Sequence, residues 1–158
     1  MVGVEVVVGV VVVVEVGVEV VKKHKRNELK TLKNKLWKLC VQLTRKKYGD
    51  TCYTCGQTGL KGRNWQTGHL IPKSVCGVYL KYDLRVLRPQ CTTCNIWRGG
   101  NGEIFLEKMR AIEGTDYINQ IFRDRNLITK EKDHYPQLFE RYTKMLKETG
   151  VSNEPSSN

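Results

Sequence analysis

Two Cys-x-x-Cys pairs, Cys52-Tyr53-Thr54-Cys55 and Cys91-Thr92-Thr93-Cys94, stand 35 residues apart and constrain this chain more than any other feature. Four sulfurs in two tight knuckles are the complement of a closed tetrahedral Zn2+ site, which would pin the chain at four points. The same pairs could be disulfides in an exported protein, or redox dithiols. Export is not expected, because no basic n-region and no small-residue cleavage site precede Lys22. A redox dithiol needs only one such pair. The spacing therefore supports structural zinc, which stabilises and does not catalyse because four sulfurs leave it no open position. Cys40 and Cys76 are left over: Cys40 adjoins a helix stripe and is assigned to the core, and Cys76 has no assigned partner.

At 158 residues the chain has room for one domain of ordinary size. Residues 1–21 are set apart from it as a Val-rich low-complexity segment: after Met1 they are 14 Val, three Gly and three Glu, with Val at every even position. Codons GTG, GGG and GAG differ only at the middle base, so the stretch reads as a translated simple DNA repeat. Its alternation would suit a β-strand, but a Val-rich strand without a partner is an aggregation hazard rather than a fold element. As a membrane span it is weakened by Glu5, Glu15 and Glu19, each costing about 2.5–3.5 kcal/mol at a bilayer centre against roughly 0.3 kcal/mol gained per Val. No membrane span is expected, and the location implied is cytoplasmic.

Charge narrows the partner. Lys and Arg number 27 against 16 Asp and Glu, a net charge of +11 that rises to +14 without residues 1–21, which hold three acids and no bases. An acidic partner follows, nucleic acid ahead of an anionic membrane surface. Residues 22–49 read as a basic amphipathic helix: Leu29, Leu32, Leu36, Leu39 and Leu43 recur at three and four, and Gly49 is the stop. Within residues 22–47 there are 11 Lys or Arg and one acid, Glu28. Charges so crowded repel one another, and a phosphate backbone would relieve them. Lys22, Lys23, Lys25, Arg26, Lys30, Lys33, Arg45, Lys46 and Lys47 are the candidate contacts, with a solvated polar face as the plain alternative.

Residues 50–114 hold the knuckles, with strand-like runs at 65–71 and 78–84. C-terminal helices are expected over 115–150, preceded by one carrying Ile104, Phe105, Met109 and Ile112; Tyr117, Ile118, Ile121 and Phe122 mark the next, and Leu138, Phe139, Tyr142, Met145 and Leu146 the last. Pro136 is expected to start that last helix and Asn101 to cap the first, while Trp97 is expected to be packed. Residues 151–158 form a polar tail, expected to be disordered.

Between the knuckles lies Gly68-His69-Leu70-Ile71-Pro72, and Asn95 follows the last cysteine. With Cys52-x-x-Cys55, Leu80-Lys81-Tyr82-Asp83, Leu87-Arg88-Pro89-Gln90-Cys91-x-x-Cys94-Asn95 and Gly100-Asn101, these residues resemble the HNH, or ββα-metal, endonucleases. They are closely similar to the phage recombination endonucleases of the NinG (Rap) family, over roughly 65 residues whose motifs are specific as a set. The resemblance implies an α+β fold: a small zinc-stapled ββα-metal core flanked by the basic helix and the C-terminal helices. It implies a hydrolase that cuts phosphodiester bonds in branched DNA, in a host cytoplasm if the chain is phage-encoded. His69 would be the general base, and Asn95 a ligand of a catalytic Mg2+ or Mn2+ ion.

Hydrolysis of a phosphodiester needs a water deprotonated in line with the scissile bond, and a cation against the developing charge. Neutral imidazole suits the first task. An amide oxygen alone holds Mg2+ poorly, so a carboxylate is expected nearby. Many HNH enzymes carry Asp or Glu directly before the histidine, where this chain has Gly68. Asp83, on the polar face of the 78–86 alternation, is the candidate; its alternative is a salt bridge with Lys81 or Arg85. Val86 stands where the family usually carries the middle Asn and has no side-chain group to hydrogen-bond the His-bearing loop. This departure motivates a second reading, a catalytically inactive zinc-knuckle DNA-binding protein. Arg88 and Arg98 flank the second knuckle as candidate phosphate contacts. A homodimer would match the symmetry of a four-way junction.

Overall fold

The structure, a computed structural model, describes residues 5–149, with side chains from residue 22 onward except residues 23 and 24. The expected tail at 151–158 and the first four residues of the Val-rich stretch lie outside the described residues, as does the Lys23 side chain. Helix α1 runs Glu5–Tyr48. Where described, the Val-rich stretch is therefore helical rather than the strand its alternation would suit: Val costs only a few tenths of a kcal/mol in a helix, and extending an existing helix avoids nucleation. Among the described residues no helix is long and apolar enough to cross a membrane. Gly49 ends α1 at a φ of +71°, a conformation glycine adopts without strain.

The stripe buries as expected. Leu36, Cys40 and Leu43 are buried at helical spacing, with Leu29, Leu32 and Leu39 half-buried beside them. They meet α5 (Glu131–Glu148), whose Tyr135, Leu138, Tyr142 and Leu146 form the opposing face. The Tyr142 hydroxyl donates to the Tyr82 carbonyl at 2.9 Å, so this aromatic is satisfied as well as packed. Helices α3 (Gly102–Glu113) and α4 (Thr115–Asp124) pack on each other and close the core through Phe105, Met109, Ile118 and Ile121.

Pro136 lies inside α5, not at its start. The helix begins one turn earlier because Glu131 and Asp133 complement its N-terminus and Tyr135 is fully buried. Residues 78–84 are likewise not a strand. A short helix α2 (Gly77–Leu80) and a 3-10 turn (Leu84–Val86) occupy that run, and the second strand follows them. Strands β1 (Gln66–His69) and β2 (Leu87–Gln90) pair antiparallel with Gln66 opposite Gln90 and His69 opposite Leu87. Alternation over a few residues is satisfied equally well by successive turns, and β2 takes the pairing because it runs directly into the second cysteine pair and is hydrogen-bonded by the first. The Tyr53 amide in the first knuckle donates to the Pro89 carbonyl at 2.8 Å, and Cys91 follows Gln90 directly. The result is a small α+β fold with a helical core and a second, smaller cluster of Cys52, Leu60, Trp65, Cys91 and Cys94.

Candidate metal centre and the His69 site

The Sγ atoms of Cys52, Cys55, Cys91 and Cys94 all lie within 4.8 Å of one another. Cys55 and Cys91 are 3.8 Å apart, the separation that a tetrahedral ion with Zn–S bonds of about 2.3 Å imposes. A disulfide would need about 2.05 Å, and all six cysteines are free. The four sulfurs can hold one metal ion such as zinc. Their surroundings fit thiolates: the Thr54 hydroxyl is 3.4 Å from the Cys52 sulfur, the Cys94 amide donates to Cys91, and the Asn101 amide nitrogen donates to Cys94 at 3.6 Å. Burial works against the Cys52 thiolate, but hydrogen bonds from the Cys55 amide and the Thr54 hydroxyl outweigh it and bring the thiol down to about 6.

Asn101 does occupy the position before α3, at a φ of +54°, yet its side chain does not cap the helix. It is spent on the Cys94 sulfur instead. Gln90, fully buried, ties the two knuckles together: its Nε2 donates to Thr54 Oγ1 at 3.1 Å and to the Gly100 carbonyl at 2.7 Å. Gln90 stands in the Leu87–Asn95 motif, but its task depends on Thr54 and Gly100, which only the fold brings to it. Cys40 is in the core as expected, its Sγ 3.4 Å from the Tyr82 carbonyl, and burial pushes its thiol up to about 12. Cys76 is equally buried and bonds only to backbone carbonyls, Lys73 and Gly77.

His69 closes β1 and faces α1. Trp37 stacks on it with ring centroids 5.5 Å apart and planes 12° from parallel, and Lys73 Nζ lies 3.6 Å from the Trp37 ring centre. Its Nε2 is 3.0 Å from the Lys81 carbonyl oxygen. A carbonyl only accepts, so Nε2 carries the proton and the Nδ1 lone pair is left as the basic position. Burial pushes the imidazole down to about 4, the Lys73 and Lys81 charges act the same way, and the Lys81 hydrogen bond opposes them. At neutral pH the ring is uncharged. The Val86 side chain is fully buried, but its backbone carbonyl accepts the Leu70 amide at 2.9 Å, so the loop after His69 is held without an Asn at position 86.

Asp83 takes the salt-bridge alternative. Both carboxylate oxygens accept from Arg85, whose Nε lies at 3.0 and 3.1 Å and whose second guanidinium nitrogen at 2.7 Å, and the Arg85 amide adds a fourth bond at 2.8 Å. Arg85 also pairs with Asp124 at 2.8 Å. The backbone amide of Asn95 donates to the Cys91 carbonyl, and its side chain has no hydrogen-bond partner among the described residues. Among those residues the four cysteines are the sole group of three or more His, Cys, Asp and Glu ligand atoms able to share an ion. One amide oxygen and an engaged carboxylate do not fit a preformed Mg2+ or Mn2+ site.

The basic candidates divide. Arg88, 1% exposed, is a structural residue and not a phosphate contact: it donates to the Leu87 and Arg85 carbonyls and to Glu113 Oε1 at 3.0 Å, and its guanidinium lies 4.4 Å from the Tyr48 ring centre. The shortage of acids in the sequence hides this, because Glu113 is 25 residues away. Lys33 turns to Glu131 at 2.5 Å and Lys46 to the Thr149 carbonyl, so both join α1 to α5. Arg45 and Lys47 lie over Trp65 and Tyr48. Lys22, Lys25, Arg26, Lys30 and Arg98 are exposed, as are Lys35 and Lys38, which the charge run contained but the candidate set did not. Trp97, expected to be packed, is 79% exposed. The turn that carries it is fixed by Cys94, and this fixing leaves the next residues pointing outward.

No family model matches this chain, and no curated protein or solved structure matches it either.

Proposed function

We propose that the chain is a zinc-stapled DNA endonuclease of HNH type, with His69 as the general base. The observation that carries this reading is the contact between His69 Nε2 and the Lys81 carbonyl. It fixes the one tautomer that leaves Nδ1 free to take a proton from water, on a ring kept neutral by burial. A base at about 4 is weak on its own. A phosphate beside the ring supplies the negative charge that raises it toward neutrality, so the base strengthens when substrate is present. The exposed bases of α1 supply the backbone grip, and the zinc knuckles hold β1 and β2 in register. Branched recombination intermediates are the substrate class, on the resemblance of the motifs.

The test is cleavage of a four-way junction and of a linear duplex of matched sequence in Mg2+, in Mn2+ and in EDTA, by the full chain and by His69→Ala. Loss of cutting in the variant, with DNA affinity and zinc content retained, is the expected result. Cutting that survives in His69→Ala rules His69 out as the base.

A second reading, DNA binding without cleavage, is favoured by the Asp83–Arg85 ion pair, which removes the expected carboxylate from service. Tight junction binding with no cutting in any of the three buffers selects it.

A further inference from the structure

We propose that Trp97 is a base-stacking residue that engages base faces of DNA left uncovered where stacking is interrupted, as in a single strand or at the centre of a branch; the inference rests on the DNA-binding reading above. Trp97 is 79% exposed and its neighbour Ile96 55%. The other two tryptophans are spent: Trp65 is buried and donates to the Gly49 carbonyl, and Trp37 stacks on His69. An indole this exposed on a mobile loop would mean little, but this one is held. It ends a π-helical turn, Thr93–Trp97, that contains the ligand Cys94. The Arg98 amide bonds back to the Thr93 carbonyl at 2.9 Å and the Gly100 amide to the Cys94 carbonyl at 2.9 Å, and Gln90 anchors the Gly100 carbonyl. Turns of this kind recur at functional sites, and a rigid mount lowers the ordering cost of a stacked base.

Charge identifies the occupant. Arg98 is exposed directly after Trp97. Thr92 joins the knuckle to the 61–64 loop through Asn64 Oδ1 and the Arg63 carbonyl, and that loop carries exposed Lys61 and Arg63. Across residues 51–102 there are seven Lys or Arg and one acid, Asp83; Arg85 pairs with that acid and Arg88 is buried against Glu113, which leaves Lys61, Arg63, Lys73, Lys81 and Arg98. A second copy of the chain would bring the same excess of positive charge and be repelled. A polyanion that also offers flat apolar faces is a nucleic acid, and its base faces are free to meet an indole only where stacking between neighbours is interrupted. Arg98 would then take the adjacent phosphate.

The experiment measures affinity of the full chain for single-stranded oligonucleotide, four-way junction and linear duplex, with wild type, Trp97→Ala and Trp97→Phe. Trp97→Ala is expected to weaken single-strand and junction binding by about 5- to 150-fold, the range alanine substitution gives for one stacked base, with duplex binding unchanged. Trp97→Phe is expected to restore most of the loss. Quenching of wild-type tryptophan emission by single strand and not by duplex gives the same answer without a variant. Equal affinities of wild type and Trp97→Ala for all three DNAs, or an equal loss on all three, overturns the stacking role while leaving the nuclease reading to its own test. Failure of the wild type to bind any DNA overturns both.

Discussion

Gln90 occupies the space that any side chain at position 68 would need: its Oε1 lies 1.9 Å, and its Cδ 2.6 Å, from the point where a Cβ on Gly68 would stand. Gln90 cannot simply swing aside, because it is fully buried and its amide nitrogen is committed to Thr54 and Gly100. Position 68 therefore has no room for a carboxylate before His69. A side chain at 68 and the tie between the knuckles exclude each other.

Gly68→Ala is expected to destabilise the zinc-loaded protein by about 2–4 kcal/mol, overpacking plus a strained or broken buried hydrogen bond. In the Gly68→Ala, Gln90→Ala double variant the second change should cost less than it does alone. Denaturant melts of the four proteins measure both, and strict additivity would show that the two side chains do not compete.

Acid should destabilise the fold through His69. Its folded value of about 4 lies below the unfolded histidine's ordinary 6.5, so the unfolded chain binds the extra proton between them. Stability is complete above about pH 6.5 and falls as pH drops toward 4, by about 3 kcal/mol at the limit. His69→Phe should flatten that part of the profile. Trp37→Ala, which returns water to the ring, should move the imidazole up toward its ordinary value, and an NMR titration of the His69 ring reads this directly.

One zinc per chain is expected by elemental analysis, and Cys55→Ser should lower it while Cys76→Ser leaves it unchanged. Chelation should unfold the smaller cluster first. Cys52, Leu60, Trp65, Cys91 and Cys94 alone bury too little apolar surface to hold without the metal. The environment of Trp65 should then become polar, which a red shift of its emission would register.

Two arginines around the second knuckle should behave as opposites. Arg88→Ala removes a buried guanidinium from two carbonyls, Glu113 and two aromatic rings, and is expected to cost about 2–4 kcal/mol of stability. Arg98→Ala is expected to leave stability within about 0.5 kcal/mol. It should instead flatten the dependence of log affinity for DNA on log salt by about one unit. Thermal melts and salt titrations of the two variants separate the roles, and a reversed pattern would refute them.

What the residues alone determined is local: the four-thiolate cluster, whose spacing puts two sulfurs on each tight knuckle; the leucine stripe and its glycine stop; the first strand; and the excess of positive charge. The knuckles, the stripe and the strand each depend on neighbours within a turn or two, where covalent geometry limits the options, and the two knuckles, 35 residues apart, are matched by their chemistry rather than by distance in the chain. Tertiary structure decided everything that needed a distant partner. It set the second strand at 87–90 rather than 78–84, because hydrogen bonds from the first knuckle and the pull of Cys91 select the register. It gave Asp83 to Arg85, Arg88 to Glu113, and the ring of His69 to Trp37, and it left Trp97 outside. A charged or aromatic side chain has several partners of similar worth available in sequence. Which one it takes is settled only when the core and the knuckles bring one of them within a few ångströms and exclude water from it.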